Sequence, residues 1–355
     1  MTPFERWTRA ACAAAAVLAT VVPTAARAQT IADRVRGASG DVEIQFAARP
    51  GVCGDGEGSL NFRSRHDTGN DQYWHCEPGP VRVRLTVHDG TVQAIHTLVG
   101  TRHRAIVGLT DLGAVGDHDA VQYFLSLARS ADVPVAREAV TPVALADSMT
   151  VTPDLLALAN ERARPVEVRK NALFWAGQVD ESDVSAPVQH IADDTTEDRR
   201  LREQAVFVLS QLPDGAGVPG LTRIARSSAE PWLAAKAAFW LGQSDDPRAT
   251  QTLRELVTDS ARPIEVRKRA LFAAGQGDAL KTSDLIALYD RLHDNAMQRQ
   301  AIFVLSQRDD SAATDALMRI ARSDPAPELR KQAMFWLGQK NDPRVAKFLA
   351  DILEH

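Results

Sequence analysis

Two periodicities divide this chain. From Asp41 to Phe46 polar and apolar residues alternate, the period of a half-buried strand. Val81 to His88 and Thr91 to Val99 flank Asp89-Gly90, a two-residue turn that closes a hairpin. Pairing His88 with Thr91 predicts Val87 opposite Val92, Leu85 opposite Ala94 and Val81 opposite Leu98. That register puts His96 opposite Val83 on the apolar face, and leaves Arg82, Arg84, Thr86 and His88 on the other. Beyond residue 108 the period lengthens to that of helices.

There the sequence also repeats itself. Six blocks read alike, ending at Gln178, Gln211, Gln243, Gln276, Gln307 and Gln339, at intervals of 33, 32, 33, 31 and 32 residues. Such a period suits one helical hairpin per repeat. Each block carries a Phe (174, 207, 239, 272, 303, 335) two places after an Ala, then Gly or Ser just before the Gln. The small residues allow close helix approach, and the Phe row reads as core, able to stack along the repeats. Asp246-Pro247 and Asp342-Pro343 mark helix starts, an N-cap followed by Pro. The order of block variants recurs, and Ala163 to Lys170 returns nearly unchanged at Ala261 to Lys268, so a unit of three repeats has duplicated. Asp119–Ser130 and Val135–Asp147, the latter interrupted by Pro142, read as an atypical capping pair, and Val345–Glu354 as a cap at the other end.

The expected fold is therefore mainly α: an α-solenoid of helical-hairpin repeats over 109–355, preceded by a small β-rich, disulfide-tied module over 29–108. Residues 1–28 have a basic start, an Ala- and Val-rich run and Ala26-Arg27-Ala28 before Gln29, the layout of a secretory signal peptide. A retained N-terminal anchor is the alternative; with processing, no transmembrane segment is expected. Cys53 and Cys76 then remain, an even count that in an exported chain points to a disulfide rather than free thiols. The expected location is periplasmic or secreted. The chain has 41 Lys and Arg against 46 Asp and Glu, and no basic run long enough to follow a phosphate backbone, so nucleic acid is not an expected partner.

Candidate chemistry is sparse. Six of nine histidines lie between 66 and 118, but His66, His75, His103 and His118 lack ligand-pair spacing, so no metal is expected. No nucleophile–base or phosphate-loop signature stands out, and no cofactor is expected. The six glutamines are expected to tie helix ends to neighbouring loops. Arg169, Arg202, Arg267 and Arg330 share one repeat position and are expected to pair with acids of the preceding turn. Trp175, Trp240 and Trp336 follow the Phe, and Trp232 opens a helix; these four are the candidate partner-binding anchors.

Blocks such as Val168 to Gln178 resemble bacterial HEAT-repeat proteins, especially the HEAT-like repeats of phycobiliprotein lyases. The resemblance implies an α-solenoid and says little of activity. Deoxyhypusine hydroxylases look similar in architecture, but imply iron on His-Glu pairs, and this chain has no His-Glu dipeptide. The expected function is a non-enzymatic scaffold binding a protein partner. A repeat-fold enzyme of hydroxylase or lyase type and a structural envelope component are the alternatives.

Overall fold

A computed structural model describes residues 29–62, 76–102, 106–179, 181–277 and 279–353. The signal-like segment and His66, His75, His103 and His355 lie outside the described residues. Helix α1 (Ile31–Arg36) starts in a capping box between Thr30 and Asp33. Strands β1 (Gly40–Phe46), β4 (Val81–His88), β5 (Thr91–Val99) and β6 (Thr110–Ala114) form one sheet in the order β5-β4-β1-β6. Short β2 (Val52–Gly54) and β3 (Leu60–Phe62) pair separately, and Cys53 is bonded to Cys76, Cα atoms 5.2 Å apart. β6 runs parallel to β1, so the sheet takes its last strand from beyond residue 108, where the alternating pattern ends.

The hairpin turn forms as expected, with Asp89 and Gly90 both at positive φ. The register does not hold along the whole hairpin. Val87 faces Val92, but Thr86 faces Ala94 and Leu85 faces Ile95, a bulge at Gln93. Past the bulge His96 lies opposite Arg84, on the polar face, not opposite Val83. The physical reason is burial: the slip turns Ile95 rather than Ala94 inward beside Leu85. Three extra buried carbons stabilise that arrangement by about 2 kcal/mol. The sheet's other face is not simply solvated, since Glu43 and Arg82 are buried on it. Arg82 donates to the Gly56 and Arg102 carbonyls, and Arg84 lies 3.2 Å from Glu43.

Helices α2 (Asp117–Ser130), α3 (Val133–Glu138) and α4 (Val140–Leu145) join the sheet to the repeats. The apolar sheet face meets α2, with the Phe46 and Phe124 rings 6.3 Å apart. Arg49 pairs with Glu181 at 2.9 Å, and the Glu181 carboxylate accepts from the Val151 and Thr152 N–H groups. Buried residues of sheet and repeats form one continuous core, so the β-rich part is the solenoid's N-terminal cap rather than an independent body.

The repeats are hairpins: α5 (Thr152–Asn160) with α6 (Val166–Gln178), α7 (Ser185–Asp193) with α8 (Arg199–Gln211), and α9 (Val218–Ser227) with α10 (Pro231–Leu241). Then come α11 (Pro247–Thr258) with α12 (Ile264–Gln276), α13 (Thr282–Arg291) with α14 (Asn295–Ser306), α15 (Ser311–Ser323) with α16 (Pro327–Leu337), and α17 (Pro343–Leu353). Asp246 caps α11 by accepting from the Arg248 N–H, and Asp342 accepts likewise from Arg344. The even-numbered helices α6 to α16, which carry the repeated blocks, pack on one another more closely than the odd-numbered row does. The stack therefore bends toward them. Glycine permits this approach: a Cβ on Gly275 would lie 2.1 Å from Val304 Cγ1, and one on Gly242 2.5 Å from Ala273 Cβ.

Candidate functional site

The residue before five of the six Phe turns into the core: Leu173, Val206, Ala238, Leu271 and Ile302 are fully buried, and Met334, before Phe335, is partly buried. The Phe itself therefore sits at the margin of the apolar face, one step of 100° around the helix. Phe174, Phe207, Phe239, Phe272 and Phe303 are half-buried and Phe335 is 60% exposed. The Phe row is thus not core, as the pattern suggested, but a strip along the inner side of the bend. The signal was available: three and four residues before each Phe stand mostly Lys, Arg, Gln or Asn, and four after it stands Gln.

These rings form a ladder. Phe174 stacks on Phe207 (6.4 Å between centroids, 8° between planes), and Phe207 meets Trp240 at 5.1 Å, which in turn meets Phe239 at 5.1 Å. The second three-repeat unit reproduces the figure: Phe272 on Phe303 (6.1 Å, 12°), Phe303 with Trp336 (5.2 Å), Trp336 with Phe335 (5.1 Å). Between the units the Arg269 guanidinium lies 5.8 Å from the Phe239 ring and 5.9 Å from Phe272, a cationic rung joining the two series.

The four tryptophans do not share one role. Trp240 and Trp336 are half-buried ladder members, and the Trp240 indole N–H is buried without an acceptor among the described residues. Trp175 is buried and donates to Thr141 Oγ1 at 3.2 Å. Trp232 is half-buried under two guanidinium groups, Arg199 at 4.5 Å and Arg202 at 5.3 Å. The structure thus brings three of the four candidates against the Phe row, Trp175 meeting Phe174 at 5.3 Å, but of these only Trp240 and Trp336 are half-buried.

The glutamines differ from expectation. Gln211, Gln243, Gln276, Gln307 and Gln339 are exposed and Gln178 is half-buried. Among the described residues none bonds to a neighbouring loop; Gln211 and Gln307 donate to the serine just before them. A side chain pointing along the strip reaches solvent before it reaches a loop.

Arginines make the loop ties instead. Arg169 donates Nε to the Ala159 carbonyl and its other two nitrogens to Glu197; Arg202 likewise donates Nε to the Ala192 carbonyl, and one terminal nitrogen to Glu230. The acid comes from the following turn, 28 residues ahead, not the preceding one. These bonds hold the Glu197 and Glu230 carboxyls below the ordinary glutamate range, against partial burial. At Arg267 the corresponding position is Asn295, and Arg267 keeps only the carbonyl contact, to Val257. Further bridges, Arg223–Asp193, Arg226–Glu255, Arg319–Asp290 and Arg344–Asp315, also link neighbouring repeats.

Among the described residues no group of three or more His, Cys, Asp or Glu is placed to hold a metal ion, and no helix is long and apolar enough to cross a membrane. Residues 282–355 match the HEAT repeats family, and residues 233–259 match the PBS lyase HEAT-like repeat. The chain carries HEAT repeats. No curated protein matches it. Among solved structures, human deoxyhypusine hydroxylase in complex with glycerol is 17% identical over 66% of this chain and 90% of its own, with a TM-score of 0.31. The CpcE–CpcF complex of phycocyanin lyase from Nostoc sp. is 14% identical over 70% and 97%, also at 0.31. Within the HEAT repeats here, the ladder is the feature that does not serve burial alone.

Proposed function

We propose that this HEAT-repeat chain is an exported, non-enzymatic scaffold that binds a protein partner along the aromatic ladder. The observation that carries the reading is the ladder itself. Phe and Trp side chains kept half-exposed in six successive repeats offer a long, rigid, amphipathic contact surface, and such residues dominate the energetics of protein interfaces. Stacked helical hairpins present extended concave faces of this kind. Export is supported by the signal-like N-terminus and by the Cys53–Cys76 bond, which persists in oxidising compartments.

The test is a crosslinked capture from envelope extracts with the chain from residue 29 onward, beside a Phe272→Ala/Phe303→Ala variant checked for folding by circular dichroism. Because sheet and repeats share one core, the whole chain is used. Specific proteins captured by the first and lost with the folded variant are expected. Equal capture by both would remove the ladder from recognition.

A further inference from the structure

We infer that the partner segment held by the second half of the ladder is an acidic, extended polypeptide; this rests on the scaffold reading above. Charge on the two halves of the inner helix row is handled differently. In the first half the cations are answered within the protein: Lys170 and Arg200 by Glu167, Arg199 by Glu203, Arg169 by Glu197 and Arg202 by Glu230. In the second half Lys268, Arg269, Arg299 and Lys331, together with Lys236 at the end of the first, have no carboxylate within ion-pair distance among the described residues. They lie three or four residues before a ladder Phe, on its own helix face.

The duplication makes this contrast sharper. Arg269, Arg299 and Lys331 stand where the first unit has Asn171, Glu203 and Ala235. Three positions beside the same rings thus differ between the units by added positive charge. One goes the other way, with Gln332 matching Lys236; Arg199 and Arg200, replaced by Asn295 and Ala296, are cations the first unit already neutralises. In a chain of net charge −5, this is a local basic strip set against the overall balance.

The strip has a receiving groove. A hollow of about 330 Å³ lies between α10, α12 and α14, lined by Lys268, Arg269, Phe272, Gln300, Phe303 and Glu265. A carboxylate placed there meets two cations, an apolar side chain meets two ring edges, and Gln300 can bond a backbone amide or carbonyl. Glu265 is the one acid of the lining and opposes such a segment. Single-stranded nucleic acid is the less suited polyanion. Its bases need free ring faces, whereas Phe272 and Phe303 stack on each other and Arg269 lies over the outer Phe272 face.

The test is fluorescence anisotropy with a labelled twelve-residue peptide of Glu around a central Phe, beside its Gln-for-Glu counterpart and a twelve-nucleotide single strand. Binding of the acidic peptide is expected, weakened about tenfold by Lys268→Glu/Arg269→Glu and by the exposed pair Arg299→Glu/Lys331→Glu, and weakened by added salt. Glu265→Gln should tighten it about twofold or more, an outcome that a merely disruptive substitution cannot produce. No binding, equal binding of the Gln peptide, tighter binding of the oligonucleotide, or indifference to all three variants would each overturn the acidic assignment. If Phe272→Ala/Phe303→Ala abolishes capture of the natural partner while the charge reversals leave it unchanged, the scaffold reading stands and this inference falls.

Discussion

Gly242 and Gly338 stand fourth in the same pentapeptide, Phe-Trp-Leu-Gly-Gln, in corresponding repeats, and both hold helical angles (φ −70° and −63°). Alanine is allowed by the backbone at either place and, judged locally, would stabilise by up to about 1 kcal/mol. The neighbours decide otherwise at one of them. At Gly242 the new Cβ lies 2.5 Å from Ala273 Cβ and 3.0 Å from Ala273 Cα and carbonyl oxygen. None of these is the end of a flexible side chain, so α12 itself must move, and such overpacking costs about 1–3 kcal/mol. At Gly338 the nearest atoms are 3.5 and 3.6 Å away. We expect Gly242→Ala to destabilise by about 1–2 kcal/mol and Gly338→Ala to be neutral or stabilising by up to about 1 kcal/mol. Urea unfolding followed by circular dichroism reads both as midpoint shifts at constant slope. Adding Ala273→Gly to Gly242→Ala should recover only part of the loss, because the Cα and carbonyl contacts remain. Equal midpoint shifts for the two alanine variants would refute the claim that helix approach, rather than local propensity, sets the need for glycine.

Four other outcomes are expected. Glu197→Gln strands the buried Arg169 guanidinium and should cost about 3–5 kcal/mol, whereas Glu255→Gln, at an exposed pair, should cost under about 1 kcal/mol; similar midpoints would argue against the buried tie. The Arg169 bond lowers the folded Glu197 pKa, so its stabilisation is present above the ordinary value of 4.5 and lost as pH falls through the depressed one. Urea midpoints from pH 6 to 3 should therefore fall less steeply in Glu197→Gln, and an unchanged slope would count against it. Cys53→Ser/Cys76→Ser opens a link of sequence separation 23 and should cost about 3 kcal/mol, seen as a lower Tm. Deleting Gln93 removes the extra residue while keeping Thr86 opposite Ala94 and Leu85 opposite Ile95, so the bulge should close with the urea midpoint nearly unchanged and amide-exchange protection along β5 retained; loss of that protection would count against the register.

The solenoid was legible because its signal is redundant: one residue pattern recurs at fixed spacing, and a hairpin with one apolar side has few ways to be buried. The disulfide followed from counting. What stayed hidden depends on contacts far apart in sequence. A bulge is decided by which of Ala94 and Ile95 the core accepts, so alternation alone put His96 on the wrong face. Strand β6, short and broken by Gly113, has no periodicity of its own and exists through pairing with β1. The acid partners of Arg169 and Arg202 were sought in the preceding turn, yet the side chains reach forward because the next repeat's loop lies over their ends. The ladder was half legible: the Phe row was plain, but its half-exposure depended on the 100° offset from the preceding buried residue, and the cationic edge emerges only when the two units are aligned beside the rings.

The empty notch at Gly338 has a meaning for length. At Gly242 the same notch is filled by Ala273 of the next inner helix. Residues 244–339 begin just after one Phe-Trp-Leu-Gly-Gln and finish with the other. A second copy of that segment inserted after Gln339 would create no new peptide junction, since Gln is followed by Ser244 and Gln339 by Lys340 as they already are. The added Ala273 would seat against Gly338, and the added Arg269 would span Phe335 and the next Phe272. The molecule is in this sense a measuring rod graduated in whole units, one whose reach can be altered without redesigning a single joint.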